Sequence, residues 1–174
     1  MKHKLLTSAL IVALSGGPMA SFADAATYSN GTATATFTVS LTLQANCTIS
    51  ANPLSFGTNG VLATALNQQT TVAVDCTNTT PYNVGIDGGT VSGSTVTNRL
   101  LAGTATGNTS TTVGFQLYQD SGRTTVWGNT QGTNTVGGTG TGSVQTINVY
   151  GQIPVQTTPR PDTYQTTVTA TVYF

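Results

Sequence analysis

Residues 32–43 read TATATFTVSLTL, one of the two most regular alternations in the sequence. Every odd-numbered position from 33 to 43 is apolar, and every even-numbered position from 32 to 42 is threonine or serine. Side chains alternate between the two faces of a β-strand, so this pattern is typical of a strand with one buried face. It predicts a half-buried strand over the whole stretch, longer than the usual strand of five or six residues.

The rest of the chain alternates in shorter runs that are separated by glycine-rich turns. No run after residue 26 has a helical period, and the stretches 103–112 and 128–142 are predicted to be surface loops. Short strands and glycine-rich turns favour an all-β sandwich. Beyond the first strand, we predict strands at 70–76, 82–87, 112–118, 125–127, 143–153 and 164–174.

The last predicted strand, 164–174, is nearly as regular as the first. Threonine occupies positions 167, 169 and 171, on the face opposite the apolar side chains. Residues such as valine, tyrosine and threonine favour half-buried pleated surfaces. The face predicted to be buried comprises Tyr164, Val168, Ala170, Val172 and Phe174.

The composition argues against most catalytic chemistry. Of the 174 residues, 38 are threonine and 20 are glycine, and only 6% are charged. All histidine, lysine and methionine lies within the first 19 positions, and glutamate is absent. Catalysis and metal binding usually need groups that titrate or ligate near neutral pH. We therefore expect no enzyme, metal or cofactor, and the few arginines are too scattered for a nucleic-acid surface.

Two motifs have a sharper reading beside a plainer one. Asp120-Ser121-Gly122 matches an aspartic-protease signature, but such an enzyme needs two carboxylates that share a proton, and a β-turn is favoured. The aromatic residues Trp127, Tyr118 and Tyr150 could form a sugar-binding platform, but packing in the core or on a sheet face is favoured.

The first 25 residues have the features of a secretory signal. Lys2 and Lys4 precede an apolar run at 5–14, and small residues at 21–25 offer two cleavage positions, after Ala23 or after Ala25. The apolar run is too short for a stable membrane anchor. We expect an exported mature chain with no membrane span.

Cys47 and Cys76 are the two cysteines of the chain. In an oxidising compartment an isolated pair favours one disulfide. A metal site would need further ligands, and a catalytic thiol would need a neighbouring base. The sequence offers neither.

The strand at 32–43 has no protection against edge-to-edge pairing. No charged residue occurs from 25 to 74, whereas exposed strands are normally guarded by lysine, proline or bulges. The strand either pairs within its own domain, as most N-terminal strands do, or adds to another copy of the protein. Periodicity alone leaves both possibilities open.

The chain resembles the spore coat protein U domain family, which includes subunits of Csu-type (archaic) chaperone–usher pili. The resemblance extends in order over nearly the whole mature chain. It rests on FTV at 37–39, NCTIS at 46–50, LSFG at 54–57, VDCT at 74–77, PYNVGIDGG at 81–89, LYQD at 117–120, WG at 127–128, VYGQIP at 149–154, DTY at 162–164 and VYF at 172–174.

The resemblance implies an incomplete immunoglobulin-like β-sandwich that is completed by donor-strand exchange. It divides the chain into a signal peptide (1–25), an N-terminal donor-strand extension (26–45) and a pilin domain (46–174). The donor side chains would be Phe37, Val39, Leu41 and Leu43. The C-terminal strand would flank the acceptor groove and contact the chaperone, and Cys47 and Cys76 match the family's disulfide.

The function expected from this resemblance is that of a structural, rod-type pilus subunit supporting adhesion and biofilm formation. Its partners would be copies of itself, other pilus subunits, a periplasmic chaperone and an outer-membrane usher, on a route through the periplasm to the cell surface. The alternative is a self-contained secreted β-sandwich that binds carbohydrate or forms a spore or cell coat.

Overall fold

A computed structural model describes residues 30–174. The chain divides into a unit that ends at Ser40 and a unit from Leu41 to Phe174. The predicted signal peptide lies outside the described residues. Between residues 30 and 174 there is no helix, and nine strands occur, all in the second unit: β1 (Cys47–Ala51), β2 (Leu66–Cys76), β3 (Pro81–Ile86), β4 (Arg99–Gly103), β5 (Thr112–Tyr118), β6 (Val136–Thr139), β7 (Gln145–Ile153), β8 (Tyr164–Gln165) and β9 (Ala170–Tyr173).

The strands form two antiparallel sheets. The larger has the order β1-β2-β7-β5-β4-β8 and the smaller has the order β6-β3-β9. The longest ladder joins β2 to β7, from the pair Leu66–Ile153 to the pair Val74–Gln145. The prediction of an all-β fold is confirmed.

The core lies where valine, leucine and aromatic side chains of both sheets meet. Val72 and Val74 of β2 and Val84 of β3 are almost fully buried, and so is Trp127. The Trp127 indole donates to the carbonyl of Val84 over 2.8 Å, which satisfies its single polar atom in the apolar interior. Burial makes Trp127 a packing residue, so the sugar-platform reading does not hold for it.

The disulfide joins Cys47 to Cys76 at one end of the larger sheet. These residues face each other in the β1–β2 ladder, with their Cα atoms 4.1 Å apart. The bridge thereby ties the start of β1 to the end of β2. Asn46, the residue before it, is held as well, because its carbonyl accepts from the Thr77 amide over 3.0 Å.

The predicted strands agree with the structure where the alternation is strong. The strand at 112–118 has the predicted bounds, and those at 82–87 and 143–153 shift by one or two residues. The strand predicted at 70–76 begins four residues earlier, at Leu66. The strand predicted at 125–127 is wrong: only an isolated bridge between Tyr118 and Val126 is present. β1 and β4 were not predicted.

The loop predicted at 128–142 is corrected by β6. This strand reads VGGT. Because two of its four residues are glycine, it has no alternation of apolar and polar side chains that would predict a strand. Gly138 pairs with Tyr82 of β3, and a Cβ atom on Gly138 would lie 2.5 Å from the Tyr82 ring. Glycine is required there because the tyrosine occupies the space that a side chain would fill.

The C-terminal strand predicted at 164–174 is corrected to two pieces. β8 pairs with β4 in the larger sheet, and β9 pairs with β3 in the smaller one. Residues 166–169 connect them and have no strand assignment. The chain therefore changes from one sheet to the other within this stretch.

The prediction of a half-buried strand at 32–43 does not hold within this chain. No residue from 30 to 46 belongs to a strand, and all of them are exposed. Since a strand needs a neighbour for its ladder hydrogen bonds, the alternating pattern has no partner among residues 30–174.

Candidate functional site

The candidate site is an apolar groove of about 1060 Å³ between the two sheets. One wall is formed by residues 51–62 and the other by residues 158–170. The groove reaches the core of the sandwich, so several core side chains line it while they contact one another. Those from the sheets include Val72, Ile86, Leu101, Val113, Phe115, Leu117, Val149 and Ile153.

The first wall follows β1 and is irregular. Leu54 and Phe56 are half-buried and pack against the core. At the far end the two walls are tied together, because the Leu62 amide donates to the Thr158 hydroxyl over 2.8 Å and the Gln156 amide donates to the Leu62 carbonyl over 3.2 Å. These bonds hold Leu62 of the first wall against the segment that leads into the second wall.

The second wall continues into the C-terminal stretch 164–174, which contains β8 and β9 and has one paired and one unpaired edge. The carbonyls of Thr163, Thr167 and Thr169 accept from the amides of Thr104, Thr90 and Asp87. Backbone groups of successive residues in an extended chain point to opposite edges, so the even-numbered residues 166–172 direct theirs the other way. β8 and β9 each end the strand order of their sheets, so within residues 30–174 no strand pairs with that second edge.

The predicted residues of the C-terminal strand separate into two groups. Tyr164, Val168, Ala170 and Val172 are half-buried and pack against the core, and the first three also line the groove. Phe174 is different, with 59% of its surface exposed, and it is not among the residues that line the groove. The structure thus brings four of the five predicted residues together on the inner face.

The predicted donor side chains lie in solvent. Phe37 is 86% exposed, Val39 is 83% exposed, and Leu41 and Leu43 are each 81% exposed. Large apolar side chains that recur on one face of a segment are normally buried by a partner. Within residues 30–174 this set has none, so its apolar face is available to one.

The groove is almost without charge. Arg160 and Asp162 are the two charged residues that line it, and both lie just before β8. Asp162 accepts hydrogen bonds from the Asn108 amide group over 2.5 Å, from the Ala105 backbone amide over 3.0 Å and from the Thr163 backbone amide over 2.7 Å. The bond from Asn108, followed by that from Ala105, lowers the pKa of Asp162 below its ordinary value. The carboxylate thereby ties the loop at 104–111 to the start of the second wall.

We expect the stability of the domain to fall in acid, partly through Asp162. Since the pKa of Asp162 in the folded protein lies below the ordinary aspartate value of 3.8, its contribution to stability is complete above that pH and is lost as the pH falls through the folded pKa. Denaturation midpoints measured between pH 5 and pH 2 should therefore fall less steeply for Asp162→Asn than for the unchanged protein. An identical acid slope in the two proteins would contradict this role.

The contacts of Asp120 decide between a protease signature and a β-turn for the motif at 120–122. Its carboxylate accepts from the amides of Thr124 and Thr125, the latter over 2.7 Å. The Thr125 amide is the largest cause of a lowered pKa for Asp120. The motif at 120–122 is therefore a hydrogen-bonded turn. Among the described residues no group of three or more histidine, cysteine, aspartate or glutamate side chains could hold a metal ion.

A search of the same residues for membrane spans finds no helix that is long and apolar enough to cross a bilayer.

The fold and the groove define a class of protein: an antiparallel two-sheet β-domain whose core is open along one edge. Within that class, the chain belongs to the Spore Coat Protein U domain family, whose model matches residues 33–171. The family predicted from the sequence motifs is confirmed. None of the curated proteins compared with the chain matches it.

One similar solved structure comes from Acinetobacter baumannii. It is a crystal structure of a chaperone–tip adhesion subunit pre-assembly complex from archaic chaperone–usher Csu pili. One of its chains matches with a TM-score of 0.55 and 25% sequence identity, over 76% of the present chain and 40% of that chain. The present chain therefore spans well under two thirds of the length of this relative. The likeness is consistent with the predicted immunoglobulin-like sandwich.

Proposed function

We propose that this chain is a structural subunit of a chaperone–usher pilus and that it polymerises by donor-strand exchange. Residues 26–45 of one copy would lie as a strand in the groove of the next copy. Phe37, Val39, Leu41 and Leu43 would fill the space between the walls. The single observation that carries the proposal is that one chain has both an exposed apolar face without a partner among residues 30–174 and an apolar groove.

Side-chain burial, backbone hydrogen bonding and the scarcity of charge all favour that exchange. Burial of four such side chains stabilises by about 1.5–3 kcal/mol each, an upper-bound total of about 6–12 kcal/mol. The unpaired edge at 166–172 supplies backbone donors and acceptors for the incoming strand, as in other cases of β-strand addition. The absence of charge from 25 to 74 and from most of the groove avoids the cost of burying an unpaired ion.

The donor segment and the groove together favour a rod-type position. A subunit that offers a strand to one neighbour and a groove to another is linked on both sides, as the interior of a fibre requires. Before assembly the exposed groove would need protection, which supports a periplasmic chaperone as the first partner and an outer-membrane usher as the second. The chaperone would contact the unpaired edge of the C-terminal strand, including Tyr164, Val168, Ala170, Val172 and the exposed Phe174.

The proposed route is export through the periplasm to a surface pilus, where the fibre would support adhesion and biofilm formation. The similar structure from Acinetobacter baumannii supports the pilus class, because it joins a subunit to its chaperone before assembly. The disulfide Cys47–Cys76 suits this route, since such bridges form in oxidising compartments.

The test is a gel of the exported protein, co-expressed with its candidate chaperone and usher, with and without boiling in SDS. We expect a ladder of multimers that collapses to one band on boiling, because strand-exchanged subunits dissociate very slowly. Deletion of residues 26–45 should abolish the ladder and leave chaperone binding intact. A single folded monomer band from the unchanged chain would overturn the proposal and favour the carbohydrate-binding or coat alternative.

A further inference from the structure

The stretch where the C-terminal strand changes sheets departs from an ordinary ladder at one residue pair. β9 pairs with β3 up to Ala170 opposite Ile86, so the next pair along is Thr169 opposite Asp87. The Asp87 amide donates to the Thr169 carbonyl over 3.0 Å, as a ladder requires. The reciprocal bond is not to the backbone: the Thr169 amide donates to the Asp87 carboxylate oxygen Oδ1 over 2.9 Å.

Arg99 explains why the Thr169 amide is bound by the Asp87 carboxylate and not by the Asp87 carbonyl. The Asp87 carbonyl, which would have accepted from Thr169, accepts instead from Arg99 Nε over 2.9 Å. Arg99 has no exposed surface, so its guanidinium takes its partners from the surrounding backbone. Without the Asp87 carboxylate, the Thr169 amide would lose its partner on this edge of the strand.

The same carboxylate also fixes the turn that follows β3. Asp87 Oδ1 accepts from the Gly89 amide over 2.9 Å. Gly89 has a φ of +88°, a conformation that side-chain-bearing residues rarely adopt. The turn leads to Thr90, whose amide donates to the Thr167 carbonyl over 3.0 Å. One side chain thus holds residues 167 and 169 through a direct bond and through the turn.

Holding those two residues sets the direction of the residue between them. Because backbone groups alternate between edges, fixing Thr167 and Thr169 on the paired edge directs the N–H and C=O of Val168 to the unpaired edge. The Val168 side chain lines the groove at the same point. The middle of the groove wall therefore depends on a side chain that is not part of the wall.

We propose that Asp87 is a positioning residue for strand uptake, which keeps the middle of the C-terminal strand aligned to accept the donor strand of another copy. This inference rests on the proposed function of the groove. It predicts that the acceptor oxygen at position 87 controls how long a donor strand stays bound, although residue 87 does not line the groove.

The experiment measures the release of a fluorescent peptide of residues 26–45 from the full exported chain. Peptide is loaded during release from the chaperone, and its dissociation is followed in an excess of unlabelled peptide. We expect Asp87→Ala to release it about tenfold faster or more, the size of effect typical of a lost hydrogen bond to a charged group. Asp87→Asn keeps an acceptor oxygen in place, so it should restore a rate close to that of the unchanged protein.

The matched control is Asp120→Ala. It removes a carboxylate that also caps backbone amides, but in the turn at 120–125, which does not line the groove. Its release rate should equal that of the unchanged protein. Hydrogen exchange provides the second readout: amides at 166–170 should lose protection in Asp87→Ala, whereas those of β2 and β7 should keep it.

The outcomes separate this inference from the proposed function. If the unchanged chain takes up no peptide, the proposed function itself fails. If it takes up peptide, and Asp87→Ala has the same release rate and the same protection at 166–170, only the role of Asp87 is overturned. Should Asp87→Ala not be exported, Asp87→Ser takes its place. Its shorter side chain does not reach as far, so faster release is again expected and an unchanged rate would overturn the inference.

Discussion

Substitution of Leu41 by aspartate is expected to abolish the multimer ladder. Leu41 is 81% exposed and lies in the middle of the apolar face formed with Phe37, Val39 and Leu43. In the groove its side chain would face a mostly apolar lining, where a carboxylate would lose its hydration. Burying an unpaired charge costs several kcal/mol, which is comparable to the whole gain from the donor side chains. The measurement is the unboiled SDS gel of the exported protein.

The control is a charge of the same kind one residue further along. Thr42→Asp has its side chain on the opposite face of the segment, so in the bound strand the carboxylate would remain in solvent. We expect a normal ladder from Thr42→Asp and none from Leu41→Asp, with chaperone binding preserved in both. Equal ladders, or equal loss in both variants, would contradict the alternating face on which donor-strand exchange depends.

The sequence predicted side-chain faces better than it predicted partners. The alternation at 112–118 identified β5 with correct bounds, because one face of that strand is buried within its own domain. The alternation at 32–43 is as regular, yet it forms no ladder with any strand among residues 30–174. An alternating pattern predicts only that one face of a strand is buried. It does not indicate whether the same chain or another molecule buries that face.

The C-terminal strand illustrates a second limit. Four of its five predicted inward positions pack against the core, but the stretch divides between two sheets, and Asp87 and Arg99 interrupt its ladder with β3. These two residues are far from 164–174 in sequence, and no local pattern indicates that they meet it. The residues that line the groove could not be predicted from the sequence either, because they come from both sheets and from the irregular wall at 51–62.

Arg99 is a structural residue whose role the sequence analysis missed, although a signal was present. It lies in β4 directly before three apolar residues, Leu100, Leu101 and Ala102, an unusual place for a cation in a chain with so few charges. An arginine in such a strand is rarely buried unless it is paired. That context could have suggested an internal structural role rather than an isolated surface charge.

Replacement of Arg99 by methionine is expected to destabilise the sandwich strongly. Its guanidinium donates to the carbonyls of Val96 over 3.0 Å, Ile86 over 2.9 Å and Trp127 over 2.7 Å. It also donates to the Asp87 carbonyl and to the Gln116 side chain. Methionine fills a similar volume but donates to none of these acceptors, so several buried carbonyls would lose their partner. We expect a loss on the order of 3–5 kcal/mol in the free energy of unfolding.

Charge alone does not account for this effect. Burial lowers the pKa of Arg99 to about 10, partly opposed by the nearby Asp87 carboxylate, so the group stays protonated at neutral pH. A lysine would carry the same charge but only three donors at a single point, whereas the planar guanidinium reaches acceptors on several sides. Arg99→Lys should therefore also lose stability and should not restore the unchanged value.

The measurement uses the single tryptophan of the chain as its probe. Trp127 is buried beside Arg99, so its fluorescence reports denaturant unfolding at this site. The matched control is Arg123→Met. Arg123 donates to the carbonyls of Gly151 and Ser121 but is only half-buried, so water can replace it at a cost of about 1 kcal/mol or less. Equal losses for the two variants would show that removing either cation has the same effect, and that the buried carbonyl cage around Arg99 adds nothing.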